Sequence, residues 1–425
     1  MNNQRLELVA DFYEYTMANG YFNKNMQDRI AYFDVFFRKV PDEGGDAIVA
    51  GLEQIINYIR NLSFDEEDIS YLRKQNKFSE EFLNYLENFR FTGDIWAIPE
   101  GTVVFPNEPL ITVKAPIIQA QLLETMLLLT TNHQSLIATK TSRIVKEAQG
   151  RPVMEFGARR AHGINAAVEG ARAAIIGGAV GTSCTLSAKE FNVPASGTMA
   201  HSWIQSFDSE YEAFKAYAEL YPDDCTFLID TYNTIESGLP NAIKVFNEVL
   251  KPKGYRPKAV RLDSGDLAYL SKKVRKILDE AGYEDCKICA TNSLDEYLIK
   301  SLIEQDAKID LFGVGENLIT AKSEPVFGGV YKLVALEKDK KIVPKIKVSE
   351  NTAKVTNPSF KKVYRFYDNE TKKAIADVIT LADEIIDERE YMIFDPQNPW
   401  KKKVLKDYSI RLLQEKIFEE RKINI

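Results

Sequence analysis

From about residue 150 to residue 328 the chain keeps one rhythm: a short apolar run, a polar knot, a helical stretch, then the next apolar run. The runs fall at 153–156, 174–176, 182–184, 198–200, 226–229, 259–262, 288–290 and 311–314. Helical patterns fill most of the gaps, as at 239–250 and 267–281. Such alternation predicts an α/β fold with a parallel sheet and helical crossovers, closed or nearly closed into a TIM-like, if irregular, β/α barrel. A doubly wound open sheet is the competing topology. No GxGxxG follows the first run, which counts against dinucleotide binding.

The flanks are written differently. Residues 6–22 carry apolar side chains at helical spacing, with Asn19-Gly20 as a stop. A strand is expected at 30–37, a helix at 47–61, and two more within 65–89 around a break near Asn76. Between 93 and 113, short β runs alternate with Pro99-Glu100-Gly101 and Pro106-Asn107-Glu108-Pro109, the punctuation of a small antiparallel sheet. At Pro116 the style changes, and 117–131 and 135–149 read as two long apolar helices. Past Val330 come a hairpin at 331–336 and 341–347, strands at 364–367 and 374–379, and a final helix at 407–420. The expected division is an α+β domain from 1–116 and 331–425, its tail packing back on the N-terminal region, and a catalytic β/α barrel from 117–330.

The charge balance excludes some classes. With 425 residues and net charge −7, nothing pulls the whole chain toward nucleic acid. The lysine-rich stretch 338–362 and Lys401-Lys402-Lys403 read as solvated faces. Cys184, Cys225, Cys286 and Cys289 are too few for a disulfide framework, and the lone Cys286-x-x-Cys289 lacks a second ligand pair for zinc. No signal-like apolar segment opens the chain and no apolar run is membrane-length, so a cytoplasmic enzyme is expected.

In a β/α barrel the chemistry sits where strands end, and seven strand ends here are polar. They are Glu155-Phe156-Gly157-Ala158-Arg159-Arg160, Gly181-Thr182-Ser183, the His201 segment, Asp230-Thr231-Tyr232-Asn233-Thr234, Arg261-Leu262-Asp263-Ser264-Gly265-Asp266, Thr291-Asn292-Ser293, and Phe312-Gly313-Val314-Gly315-Glu316-Asn317. His201, in Gly197-Thr198-Met199-Ala200-His201-Ser202-Trp203, is one of three histidines and suits transfer of a proton or a phosphoryl group. Gly313 and Gly315 let backbone N–H groups approach a phosphate; a plain turn is the simpler reading. Asp263 and Asp266 suit ribose hydroxyls or magnesium, or else cap a helix. Arg159, Arg160 and Arg261 suit carboxylate or phosphate, although Arg160 has Glu169 as an alternative partner. His133 reads as capping or packing ahead of a helix. Together these groups suggest a phosphorylated ribose ligand.

The strand-end motifs around Glu155, His201, Arg261 and Phe312, with Asp11-Phe12-Tyr13-Glu14-Tyr15-Thr16-Met17, resemble the nicotinate phosphoribosyltransferase family from about Asp11 to Tyr331. The resemblance implies formation of nicotinate mononucleotide and pyrophosphate from nicotinate and phosphoribosyl pyrophosphate, with Mg2+, in NAD salvage. It also implies ATP hydrolysis coupled through a phosphohistidine, which falls on His201. The pyridine ring would lie between Phe156 and Tyr13 of a partner subunit, in a homodimer with a shared site. Arg159 and Arg261 match basic residues near the ring and phosphates, Asp263 a ribose ligand, and Gly313 and Gly315 the 5′-phosphate loop; Asn292 joins the substrate-binding set. Ser183 stands where nicotinamide-using relatives carry an aspartate. A serine donates to a carboxylate that an aspartate would repel, so nicotinate is favoured. Glu316 departs from the expected small residue after Gly315, an acid beside a phosphate loop. Quinolinate or nicotinamide phosphoribosyl transfer, or a non-catalytic relative that binds phosphoribosyl ligands, are the alternatives. No nucleic acid or membrane partner is expected.

Overall fold

A computed structural model of the chain describes residues 6–348, 355–387, 389–396, 398–419 and 422–423. The chain divides into two compact units, Leu136–Pro325, and Met1–Ser135 with Val326–Ile425. The first boundary thus falls inside the helix Glu124–Glu147 rather than at Pro116.

In the unit Leu136–Pro325, six parallel strands make one sheet: β1 (Val153–Glu155), β2 (Gly181–Thr182), β3 (Thr226–Leu228), β4 (Ala259–Leu262), β5 (Lys287–Ala290) and β6 (Leu311–Val314). Their order is β2-β1-β6-β5-β4-β3. Every sequence-adjacent pair is hydrogen-bonded except β2 with β3, and the first strand pairs with the last. That is a barrel order opened at one seam, an α/β sheet short of the full closure of a TIM barrel. Only an isolated bridge, Thr182 to Ala195, continues the sheet at the β2 edge.

The difference has local causes. Residues 174–176 end the helix Ile164–Ile176, whose run of alanines favours helix over the strand expected there. Residues 198–200 carry no strand and lead into the short helix His201–Gln205. Where strands do form, burial is complete: Phe227, Leu228, Val260, Leu262, Ile288, Ala290, Phe312 and Val314 have no exposed surface. Cys286 and Cys289 are buried free thiols of this layer. Asp266 and Asp295 cap the helices Leu267–Glu280 and Glu296–Glu304, accepting hydrogen bonds from Tyr269 and Leu298 N–H. These caps start each helix directly behind a strand end and hold the intervening loops short.

The other unit is built on an antiparallel sheet. Its strands run Lys341–Pro344, Gly329–Lys338, Ile30–Phe37, Ile111–Pro116, Asp94–Ala97, Glu415–Glu419 and Lys422–Ile423 in spatial order. The tail therefore pairs with the N-terminal strands on both sides. Helices Phe12–Asn23, Leu52–Asn61, Glu66–Lys74 and Glu80–Glu87 belong to this unit, and Asn76 has a positive φ at the expected break. At the centre of the sheet, Lys361 Nζ lies 2.8 Å from Asp34 Oδ2, and Thr112 Oγ1 donates to Asp34 Oδ1 at 2.8 Å. Burial pushes the Asp34 carboxyl up, and Lys361 and Thr112 pull it back.

Two segments fold differently from their local pattern. The final helix at 407–420 is instead two strands, Tyr408–Leu412 along Lys361–Asp368 and Glu415–Glu419 along Asp94–Ala97. Open sheet edges offer that segment a full set of partners, which outweighs the helix preference of its Leu, Gln, Glu and Lys. Phe366, Val378, Leu405 and Tyr408 form a small core of their own beside it. The two helices expected at 117–131 and 135–149 appear as a short Ile117–Gln121 and one continuous Glu124–Glu147. His133 thus lies inside a helix and does not precede one. The lysine-rich stretch 338–362 falls partly outside the described residues, while Lys401, Lys402 and Lys403 are exposed. Among the described residues, no helix is long and apolar enough to cross a membrane.

Candidate functional site

The polar groups gather at the C-terminal ends of β1, β4, β5 and β6. Arg261, on the last turn of pleat in β4, donates through Nε to Thr291 Oγ1 at 2.9 Å and through Nη2 to Asp263 Oδ1 at 2.9 Å. Its Nη1 reaches Met199 O at 3.3 Å and Thr198 Oγ1 at 3.4 Å. A planar guanidinium alone can fork to so many partners. Thr291 Oγ1 also donates to Asp263 Oδ1. Burial pushes the Asp263 carboxyl up, but the bonds from Thr291 and Arg261 and the nearby cations outweigh it and hold it below the usual carboxylate range. Asp263 is thereby kept ionised beside the site.

His201 opens the helix His201–Gln205. Its Nδ1 lies 3.1 Å from Thr231 Oγ1 and its Nε2 3.7 Å from Asp263 Oδ2. The imidazole plane is thus set by one neighbour on each side. Asp230 accepts from Asp263 N–H at 2.8 Å and Ser264 Oγ at 2.6 Å, while its Oδ1 is buried with no hydrogen-bond partner.

A cavity of about 250 Å³ is lined by Phe156, Arg159, Arg160, Arg261, Asp263, Asn292, Gly313, Gly315 and Lys322, among others. Asn292 and Ser293, both in this lining, take positive φ values of 78° and 53°, an uncommon conformation outside glycine. A second cavity of about 430 Å³ shares Phe156 and Arg261 and runs back along the strand starts at Pro152, Lys258 and Lys287.

Most expected site residues therefore come together: His201, Arg261, Asp263, Phe156, Arg159, Asn292, Gly313 and Gly315. Ser183 is exposed just beyond β2, outside the lining of both cavities. Tyr13 belongs to the other unit, on the helix Phe12–Asn23, and is 45% exposed beside exposed Phe12 and Met17. Burial, with Glu124 next, holds its phenol above the usual range.

Gly313 has a reason the sequence did not disclose. A Cβ there would sit 2.6 Å from the Phe156 ring and 2.7 Å from Thr291 Cγ2, so the missing side chain makes room for Phe156. Asp266 takes its plainer reading as a helix cap. Glu316 is answered by cations: Lys322 Nζ lies at 2.7 Å and Arg160 Nε at 3.9 Å, so Arg160 faces Glu316. Thr231, Thr291 and Lys322 were not singled out in the sequence. Thr231 and Thr291 stand inside polar strand ends read from the sequence but were given no role of their own there; Lys322 offered no signal.

Three family models match the chain: the nicotinate phosphoribosyltransferase N-terminal domain at residues 8–132, the nicotinate phosphoribosyltransferase family at 152–380, and the corresponding C-terminal domain at 360–424. The nicotinate phosphoribosyltransferase of Bacillus subtilis is 46% identical over 416 residues, covering 98% of this chain and 84% of that protein. The crystal structure of human nicotinic acid phosphoribosyltransferase superposes with a TM-score of 0.85 at 26% identity, covering 97% of this chain and 89% of that one. A nicotinate-nucleotide pyrophosphorylase from Pyrococcus furiosus shares the fold, with a TM-score of 0.76 at 24% identity over 100% of this chain and 92% of its own.

Proposed function

The chain belongs to the nicotinate phosphoribosyltransferase family, and from that premise we infer that it makes nicotinate mononucleotide and pyrophosphate from nicotinate and phosphoribosyl pyrophosphate, with ATP hydrolysis coupled through His201. The observation that carries this reading is the cavity lined by Arg159, Arg160, Arg261 and Lys322 together with Asp263 and Glu316. Four cations against two carboxylates leave the lining net positive, which suits a substrate that is anionic at its phosphates and hydroxylated at its sugar.

In the transfer step the C1′–oxygen bond breaks, its electron pair leaves with pyrophosphate, and the pyridine nitrogen lone pair forms the new bond to C1′. No proton has to be removed from the ring nitrogen. The task of the chain is positioning and charge stabilisation. Arg159 serves the phosphates, joined by Arg160 and Lys322 as these exchange Glu316 for the substrate anion. Asp263 has Oδ1 committed to Arg261 and Thr291, which leaves Oδ2 for the ribose side and His201. Magnesium supplies charge neutralisation to the leaving pyrophosphate. Among the described residues no group of three His, Cys, Asp or Glu could hold a metal alone. The unspent Oδ1 of Asp230, together with Asp263, fits a cation that arrives on substrate phosphates.

In the ATP step the γ-phosphoryl passes to an imidazole nitrogen, releasing ADP, and water later takes it as phosphate. Thr231 at Nδ1 leaves Nε2 as the receiving nitrogen. Phe156 forms one wall of the pyridine pocket and Tyr13 of a second copy the other; exposed Phe12, Tyr13 and Met17 support a covering partner on that helix. Pyrophosphate release with nicotinate, phosphoribosyl pyrophosphate and Mg2+, run with and without ATP, tests the reading. Release that rises with ATP is expected, and no release in either arm sinks it.

A further inference from the structure

Glu155 has no exposed surface, yet it is charged chemistry at the very end of β1. Its Oε1 accepts the Gly157 N–H, and its Oε2 accepts the Thr182 hydroxyl at 2.6 Å. Thr182, also fully buried, accepts the Cys184 N–H at 2.9 Å on the same oxygen. Ser183 N–H donates to the Glu155 carbonyl at 2.9 Å. One carboxylate is therefore joined to the segments that follow two neighbouring strands: Phe156-Gly157 after β1, where Phe156 lines both cavities, and Thr182-Ser183-Cys184 after β2.

We propose that Glu155, acting through Thr182, is a positioning residue that fixes the spacing between the Phe156 wall and Ser183, and so sets recognition of the pyridine carboxylate. The inference rests on the functional reading above. A buried carboxylate is costly, and filling space would be met by an apolar side chain such as the neighbouring Val153. What an apolar residue lacks is two acceptor oxygens at a fixed separation. A glutamine supplies one acceptor and one NH2 donor: with its oxygen on the Gly157 N–H, the NH2 meets Thr182 and the Thr182 hydroxyl hydrogen loses its acceptor; turned the other way, the NH2 opposes the Gly157 N–H. Burial pushes the Glu155 carboxyl up and the bonds from Thr182 and Gly157 pull it down. Backbone pairing of β1 with β2 already joins the two strands through Glu155 and Thr182. The side-chain bonds add control over the loops beyond them.

Thr182→Val keeps shape and removes the hydroxyl; Thr182→Ser restores it. Steady-state kinetics of both variants and of Glu155→Gln, with a thermal melt of each, read the inference. Thr182→Val is expected to raise the nicotinate KM by about 10-fold, the effect of one hydrogen bond to a charged group. It should narrow the preference for nicotinate over nicotinamide and leave the phosphoribosyl pyrophosphate KM unchanged. Thr182→Ser should return both to the parent values. A folded Thr182→Val with the parent nicotinate KM overturns the inference, as does a parallel rise in both KM values. Should Thr182→Val not fold, Thr182→Cys is judged by the same criteria. A parent enzyme that releases no pyrophosphate overturns the functional reading and this inference with it; parent turnover with unaltered variant kinetics overturns the inference alone.

Discussion

His201 stands between a hydroxyl and a carboxylate, with Thr231 at Nδ1 and Asp263 near Nε2. That geometry sets a polar group beside each ring nitrogen. His201→Ala is expected to keep a fraction of ATP-independent mononucleotide formation and to lose nicotinate-dependent ATP hydrolysis, read by following ADP and pyrophosphate in parallel. Continued coupling in that variant would remove the phosphohistidine role. The residue types of this site were legible in the sequence, because histidine, aspartate and arginine at strand ends have few purely structural uses. Their bonding was not. Nothing local says that Arg261 forks to Thr291, 30 residues on, or that Gly313 is small for the sake of Phe156. Those facts belong to strands that meet only after folding.

Among the elements, the helix Phe12–Asn23 carries a pH-sensitive group. Glu14 is fully buried; burial, aided by Glu124, pushes its carboxyl from 4.5 up to about 7 against hydrogen bonds from Thr125 and Asp11. Its Oε2 has no hydrogen-bond partner, which agrees with that direction. The folded state thus holds a proton that the unfolded chain releases near 4.5, so this contribution to stability falls as pH rises from about 4.5 to about 7 and is level above. Melting temperatures across that window should slope downward in the parent more steeply than in Glu14→Gln; equal slopes would refute the assignment. The central sheet gives a second prediction. Lys361→Met strands the buried Asp34 carboxylate and should cost about 3–5 kcal/mol in denaturant unfolding, with part of the loss recovered by adding Asp34→Leu. Strand 30–37 was readable from its unbroken β-rich run, and it appears as Ile30–Phe37. The tail strands after Tyr408 were not, since their composition favours helix and only the available sheet edges decide otherwise.

For the whole molecule, two compact units and an exposed Tyr13 frame the last prediction. If Tyr13 of one copy completes the pocket of another, Tyr13→Ala and His201→Ala proteins, each deficient in ATP-coupled synthesis alone, should regain part of it when mixed and allowed to exchange subunits. Random exchange places about a quarter of all sites with both parent residues when each variant silences its own contribution. No recovery after verified exchange would place Tyr13 outside a shared site. The sequence by itself determined the alternating α/β unit, the antiparallel partner unit and the polar strand ends. It did so because periodicity, turn residues and side-chain chemistry are local properties. The tertiary structure alone decided that β2 and β3 stay unpaired, that the tail is strand, and how Glu155, Arg261 and Asp263 are bonded. Those outcomes depend on which distant segments compete for the same edges and the same hydrogen bonds, and a local pattern carries no record of that competition.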